Sequence, residues 1–324
     1  MKKIFAIRKI MYCKIKSRKY FKREKILNEI FIFNVAKLAV KSIINVASVF
    51  PKPGLITPLN NSALDGTDFP CLIDGAMSLF QCLVNCVSIG SDTEALKPED
   101  AFTILRTPAK IGMNDSLNAT RGKLSMKGCI FSMGLICSAA GRLISQQRFL
   151  TPQALALTAS SYVENIVENE LWGLENNTGG KFLTQGEKVY ITYGIEGIRG
   201  EAEKGFKKTL KAVELLRKLS ATHGHLTLRE KLVHTLINIM TENQDTSIAA
   251  QGGIIELIKV QEEAKNVIDA GGMLSEKGIE KVFDFDKNLR SKGIAPNGSA
   301  VILSTALFIQ KLGELRNTRS GYNE

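Results

Sequence analysis

The sequence predicts an all-α fold, a single multi-helix domain with glycine-rich loops at its helix termini. Three observations predict it. Aromatic residues make up 7% of the 324 residues and proline only eight of them, few for a β-sandwich or barrel. Apolar residues recur at helical spacing in one segment after another. No proline occurs between Pro152 and Pro296, so nothing in that half of the chain removes an interior helix hydrogen bond. A 44% hydrophobic content over this length suffices for a substantial core.

From Phe31 onward, Asn34, Lys37, Lys41, Asn45 and Ser48 recur every three or four positions with apolar residues between them. That is an amphipathic helix with a wide buried face. Pro51 and Pro53 stop it, and residues 52–68 read as a loop rich in Pro, Asn, Asp and Gly. A second apolar helix is expected over about 71–87. A short helix opens near Pro98 and Glu99, residues 107–124 read as irregular, and 125–146 read as a buried helix. Thr151 and Pro152 open the next, as cap and first-turn proline, and it is expected to run to about Leu171. The glycine-rich stretch 173–203 reads as a long loop, a length that is uncommon in a compact domain unless it is functional. Beyond it Phe206, Leu210, Val213 and Leu216 share one helix face. Residues 228–241, 248–269, 276–290 and 298–315 read as further helices, punctuated by Gly252-Gly253 and Gly271-Gly272.

The formal charge of +11 is lopsided. Residues 1–25 hold eleven Lys or Arg against one acid, Glu24, so the rest of the chain is near neutral. A nucleic-acid binder carries its basic patch on the folded domain, and nucleic acid is not expected as a partner. Residues 1–26 are set apart as a basic extension and 27–324 as the domain. The extension reads as a basic arm, as upstream residues brought in by the choice of start codon, or as a membrane-surface or targeting segment; it lacks the uninterrupted apolar core of a secretory signal. No uninterrupted run of eighteen apolar residues appears, and the charge-free stretch Gly128 to Gly141 is too short to span a bilayer, so no transmembrane segment is expected. Six cysteines without a CxxC pair read as reduced core residues in a cytoplasmic protein.

Four segments place glycine beside charged or hydroxyl residues at helix starts: Phe50 to Leu55, Gly194 to Gly205, Asn243 to Gly253, and Ala295 to Ala300. Glycine lets backbone N–H groups approach an anion, and a helix N-terminus adds partial positive charge. Within them Lys52 and Arg199 are candidates for phosphate oxygens. Glu201, Glu203 and Asp245 are candidates for oxygen ligation of magnesium. Helix caps and solvated charges would account for the same residues. The three histidines show no triad or zinc spacing.

Taken in order, these segments resemble the triphosphoribosyl-dephospho-CoA synthase family, which serves citrate lyase and, in a sister branch, malonate decarboxylase. The resemblance rests on Pro51-Lys52-Pro53-Gly54-Leu55, on Lys127-Gly128-Cys129-Ile130-Phe131-Ser132, on Arg199-Gly200-Glu201-Ala202-Glu203-Lys204-Gly205, on Asp245-Thr246 followed by Gly252-Gly253, and on Pro296-Asn297-Gly298-Ser299-Ala300. It covers about residues 30–315. The chain departs from the family pattern at Thr57, Leu64, Gly66, Leu124-Ser125-Met126, Ser247, Gln251 and Val301, mostly by uncharged or apolar residues in place of polar or charged ones.

The resemblance implies a pentosyl-type transferase. A ribose hydroxyl of dephospho-CoA attacks the anomeric carbon of ATP, adenine leaves, and the triphosphate stays on the transferred sugar. The product supplies the prosthetic group of an acyl-carrier subunit. On this reading Glu201, Glu203 and Asp245 are the catalytic candidates. Glu201 and Glu203 bind magnesium or stabilise positive charge on the sugar, and Asp245 is the base. Lys52, Lys127 and Arg199 hold phosphates; Gly54, Gly128, Gly200, Gly252, Gly253 and Gly298 give close backbone approach; Thr246 and Ser299 donate hydrogen bonds. Magnesium is expected with ATP, and no tightly bound organic cofactor. The alternative is a non-catalytic homologue that binds a nucleotide or a protein partner. A pocket plugged by Leu64, Leu124, Met126, Gln251 and Val301 would favour it.

Overall fold

The computed structural model describes residues 29–174 and 183–315. The basic extension assigned to residues 1–26 lies outside the described residues. Among those described, the chain is helical and contains no strand, and the helices share one continuous hydrophobic core.

Helix α1 spans Glu29–Ala47. Its Val35, Ala36, Ala39, Val40 and Ile43 join the core, as the three-to-four spacing of its polar residues requires. The following helices are α2 (Phe69–Ser78), α3 (Phe80–Asp92), α4 (Pro98–Ala119), α5 (Lys127–Ser145), α6 (Pro152–Ser161) and α7 (Ile166–Leu171). After residue 183 come α8 (Gln185–Tyr193), α9 (Gly197–Glu203), α10 (Lys207–Thr222), α11 (Leu228–Met240), α12 (Thr246–Asp269), a 3₁₀ turn at Gly272–Leu274, α13 (Glu276–Ser291) and α14 (Asn297–Leu315).

Two helices lie at the centre. Helix α5 is buried without a break from Ser132 to Leu143, and α14 from Ile302 to Ile309. A helix that is apolar all round belongs inside. Helix α14 packs against α5, α6, α10, α11 and α12, so Leu303 and Phe308 are wholly enclosed; truncating either to Ala costs about 2–5 kcal/mol. Helix α5 makes its most extensive contact with α3, and the two backbones touch. A Cβ on Gly90 would lie 1.9 Å from the Ser138 carbonyl oxygen, and one on Gly141 2.0 Å from that of Val87. Only glycine permits so close an approach.

Four expected boundaries differ. The apolar segment over 71–87 is two helices, joined at Leu79. Residues 107–119, read as irregular, continue α4 straight through Pro108. Proline removes one N–H donor and strains the turn before it, but Pro108 is buried and α4 packs on α2, α3 and α5, which outweighs the local preference. The helix opened by Thr151 and Pro152 ends at Ser161, because Asn165 takes a left-handed conformation before α7 begins. The expected loop over 173–203 contains α8 and α9. Helix α8 starts in a capping box, with Thr184 accepting from the Glu187 N–H and Glu187 accepting from the Thr184 N–H.

The membrane expectation also changes. Three helical stretches, Glu29–Ala47, Phe69–Asp92 and Lys127–Ser145, are long and apolar enough to cross a membrane by length and composition. None of the three is an unbroken apolar run, but each keeps a high mean hydropathy because its interruptions are mostly small residues such as Gly, Ser and Cys or single polar ones. In this fold α5 spends that apolar surface on its neighbours, with 72% of it buried.

Candidate active site

The central helices start beside one another, and a cavity of about 230 Å³ opens at their N-termini. Gly128 in the first turn of α5, Gly197 and Ile198 of α9, Thr246 and Ser247 of α12, and Asn297, Gly298, Val301 and Ile302 of α14 line it. Glu201, Asn243, Gln244 and Asp245 complete the wall. Helix N-termini present unpaired N–H groups and partial positive charge. No side chain caps the first turn of α5, where Met126 is left-handed, so its N–H groups are unspent.

Asp245 organises the site. It is 1% exposed and caps two helices at once. Its Oδ1 accepts from the backbone N–H of Ser247, at 2.9 Å, and of Gly298, at 3.2 Å. Its Oδ2 accepts from the Ser299 N–H at 2.7 Å and from the Ser299 hydroxyl at 2.8 Å. A carboxylate offers about four acceptor positions, and all four are filled. Burial pushes its pKa up against the pull of these donors. Gly298 has to be glycine, because a Cβ there would lie 2.9 Å from Asp245 Oδ1.

Glu201 plays a related part across the cavity. It reaches from α9 to the first turn of α10, where its Oε1 accepts from the Thr209 N–H at 2.8 Å and the Thr209 hydroxyl at 3.1 Å. Phe206, at the cap position itself, is left-handed and offers no capping side chain, so Glu201 supplies the cap from outside the helix. Burial raises its pKa; the Thr209 N–H and the nearby Lys208 ammonium oppose that. Lys208 Nζ donates to Asn243 Oδ1 at 3.2 Å, and Asn243 Nδ2 donates to the Ser299 hydroxyl at 3.0 Å. A polar chain thus runs from Lys208 through Asn243 and Ser299 to Asp245.

The structure brings Gly128, Glu201, Asp245, Thr246 and Gly298 to one cavity, with Ser299 directly behind Asp245. Lys127 is exposed at the first position of α5, next to Gly128. Others are placed elsewhere. Lys52 is 2% exposed, and its Nζ donates to the carbonyls of Val46 and Ala47, both at 2.8 Å. It closes the C-terminus of α1 rather than facing a phosphate. Gly54 gives its N–H to Asp286 Oδ1 at 2.9 Å, and its α-carbon packs on the Ile294 carbonyl. The Arg290 guanidinium binds Asp286 and the Leu55 carbonyl, so the Pro-Lys-Pro-Gly-Leu turn is fastened to α13.

Arg199 is engaged as well. Its Nε donates to Glu170 at 2.7 Å, Arg106 binds the same carboxylate, and Glu187 lies 3.9 Å away. Gly200 is buried in α9 and Glu203 half-buried there, and neither lines the cavity. Gly252 and Gly253 lie within α12, which kinks at Gly253 (φ 75°, ψ −177°). The expected magnesium pair is not assembled. Two residues apart on a helix, Glu201 and Glu203 point in different directions, and among the described residues no group of three or more His, Cys, Asp or Glu forms a metal site.

Of the five substituted positions that would plug the pocket, only Val301 lines it; Leu64 is exposed. Asn297 stands in the closing motif as a variable position without an expected role; Lys208 lies outside every motif.

A family model described as ATP:dephospho-CoA triphosphoribosyl transferase matches residues 32–320. The chain belongs to this family. Among the family's curated members, a 2-(5''-triphosphoribosyl)-3'-dephosphocoenzyme-A synthase from Klebsiella pneumoniae is 30% identical over 276 residues, 85% of this chain and 89% of the relative. The protein of the same name from Escherichia fergusonii is 28% identical over 277 residues, 85% and 89% of the two chains. No solved structure matches.

Proposed function

We propose that this chain transfers the triphosphoribosyl group of ATP to dephospho-CoA, releasing adenine. The observation that carries the reading is the meeting of α5, α12 and α14 at their N-termini around one cavity, with Glu201, Asn243, Asp245 and Asn297 in its wall. In the reaction a C–O bond forms from a dephospho-CoA hydroxyl to the anomeric carbon as the C–N bond to adenine breaks. The hydroxyl gives up its proton and the departing adenine takes one up, so that no net proton is released. The transition state gains positive charge on the sugar. Glu201, buried in the cavity wall, is placed to balance that charge, and Asn243, Gln244, Thr246, Ser247 and Asn297 to orient hydroxyls and phosphates. Asp245, with its acceptor positions filled, holds α12 and α14 in register instead of removing a proton. The α5 N–H groups face the triphosphate, with Lys127 at the rim. Magnesium enters with ATP as part of the substrate.

The cavity is smaller than pockets that enclose a drug-sized ligand, about 300–1,000 Å³. It fits the reacting ribose and its nearest phosphates, with the rest of both substrates outside. The product serves as prosthetic-group precursor for the acyl-carrier subunit of citrate lyase or malonate decarboxylase, in the cytoplasm. The non-catalytic alternative loses support because the substituted apolar residues do not fill the cavity. Adenine release from magnesium-ATP and dephospho-CoA is the test. Adenine formed only when dephospho-CoA is present is the expected result; folded protein that forms none overturns the proposal.

A further inference from the structure

We infer that Lys208 is the side-chain cation that holds the triphosphate in this cavity, an inference that rests on the transferase reading and names a binding residue that neither the motifs nor the comparisons assign. Two carboxylates, Asp245 and Glu201, already sit at the helix N-termini and offset the partial charge of α10, α12 and α14. A polyanion therefore needs positive charge from elsewhere. Arg199 is committed to Glu170 and Lys52 to the carbonyls of α1. Lys127 is exposed, where solvent screens it.

Lys208 differs from all three. It lies in the first turn of α10, half-buried, close enough to Glu201 for its charge to oppose part of the rise that burial gives that carboxyl's pKa. Its Nζ is aimed by a single hydrogen bond to Asn243, a residue of the cavity wall. An ammonium has three donors, so two remain for phosphate oxygens while Asn243 fixes the direction. Asn243 is itself held by Ser299 and by Gln261. Lys208 thus stands directly beside two residues of the cavity wall, Asn243 and Glu201.

The test is calorimetric binding of inorganic triphosphate to the full chain and to Lys208→Met, Lys208→Gln and Lys208→Arg, with thermal unfolding of each. Met and Gln are expected to weaken triphosphate binding about tenfold to a hundredfold, the cost of a charge-assisted bond. Arg keeps the charge and is expected to retain most of the binding. Tm is expected to change little in all three. Unchanged binding in Met and Gln overturns the inference. So does a wild-type chain that does not bind triphosphate, or a fall in Tm in both neutral variants that accounts for the binding loss. Steady-state adenine release separates this inference from the reading beneath it. Wild-type protein that binds triphosphate through Lys208 but releases no adenine overturns the transferase reading alone. Turnover with an unchanged KM for ATP in Lys208→Met overturns the Lys208 assignment alone.

Discussion

Asp245 and Ser299 are joined twice, since one carboxylate oxygen accepts both the backbone N–H and the hydroxyl of the serine, at 2.7 and 2.8 Å. The other oxygen holds the first turn of α12 and Gly298. One side chain therefore fixes where α12 and α14 begin, and with them two walls of the cavity.

Asp245→Asn tests this. With its NH₂ toward Ser247 and Gly298, two partly buried N–H groups lose their acceptor. Turned the other way, the NH₂ faces the buried Ser299 N–H, and only the Ser299 hydroxyl can rotate to accept from it. The expected cost is about 3 kcal/mol, read from urea denaturation. Ser299→Ala removes one donor to Asp245 and the acceptor of the buried Asn243 amide but leaves the backbone bond, with an expected cost of about 2 kcal/mol. An Asp245→Asn protein as stable as Ser299→Ala would show that the double cap contributes little.

Lys52 makes stability depend on pH. Burial, with the Arg290 charge second, lowers its pKa from 10.5 to about 7. Between these values the unfolded chain holds a proton that the folded chain has lost. Stability therefore rises with pH across that window, by up to about 1.4 kcal/mol per pH unit. It is fully present above 10.5, falls as pH drops toward 7, and is level below. Lys52→Met loses two hydrogen bonds and is less stable at every pH, but it lacks this slope. The gap between wild-type and variant unfolding free energies is expected to widen from pH 7 to pH 9. A constant gap would mean that the ammonium stays charged in the fold.

The helical architecture was legible because amphipathic spacing and capping residues are local. Thr151-Pro152 opens α6 and Asp68 caps α2 as their residue types allow. The failures are also local signals, overridden or overlooked. Pro108 reads as a helix stop, yet packing on three helices carries α4 through it. Thr184 and Glu187 spell a capping box, but the glycines around them drew the reading toward a loop. At the site, motif residues were visible but their employment was not. Lys52 and Gly54 stand in a phosphate-like turn and are used to fasten α1 to α13. Lys208 resembles its neighbours Lys207 and Lys211, and only the fold shows that it alone reaches Asn243.

Gly128 and Val301 offer a test of how closely α5 and α14 meet at the cavity. A Cβ on Gly128 would lie 3.1 Å from Val301 Cγ2, tighter than relaxed carbon contact. Gly128→Ala is therefore expected to cost about 1 kcal/mol or more by overpacking and to raise the KM for ATP by crowding the first turn of α5. Val301→Ala removes the methyl groups in the way. In the double variant the two side chains fit together, so its cost is expected to fall short of the sum of the single costs by about 0.5–1 kcal/mol. Val301→Ala should also recover the KM lost to Gly128→Ala. Additive costs, with KM unrecovered, would mean that the helices separate freely here and that the cavity wall yields instead of being fixed by this contact.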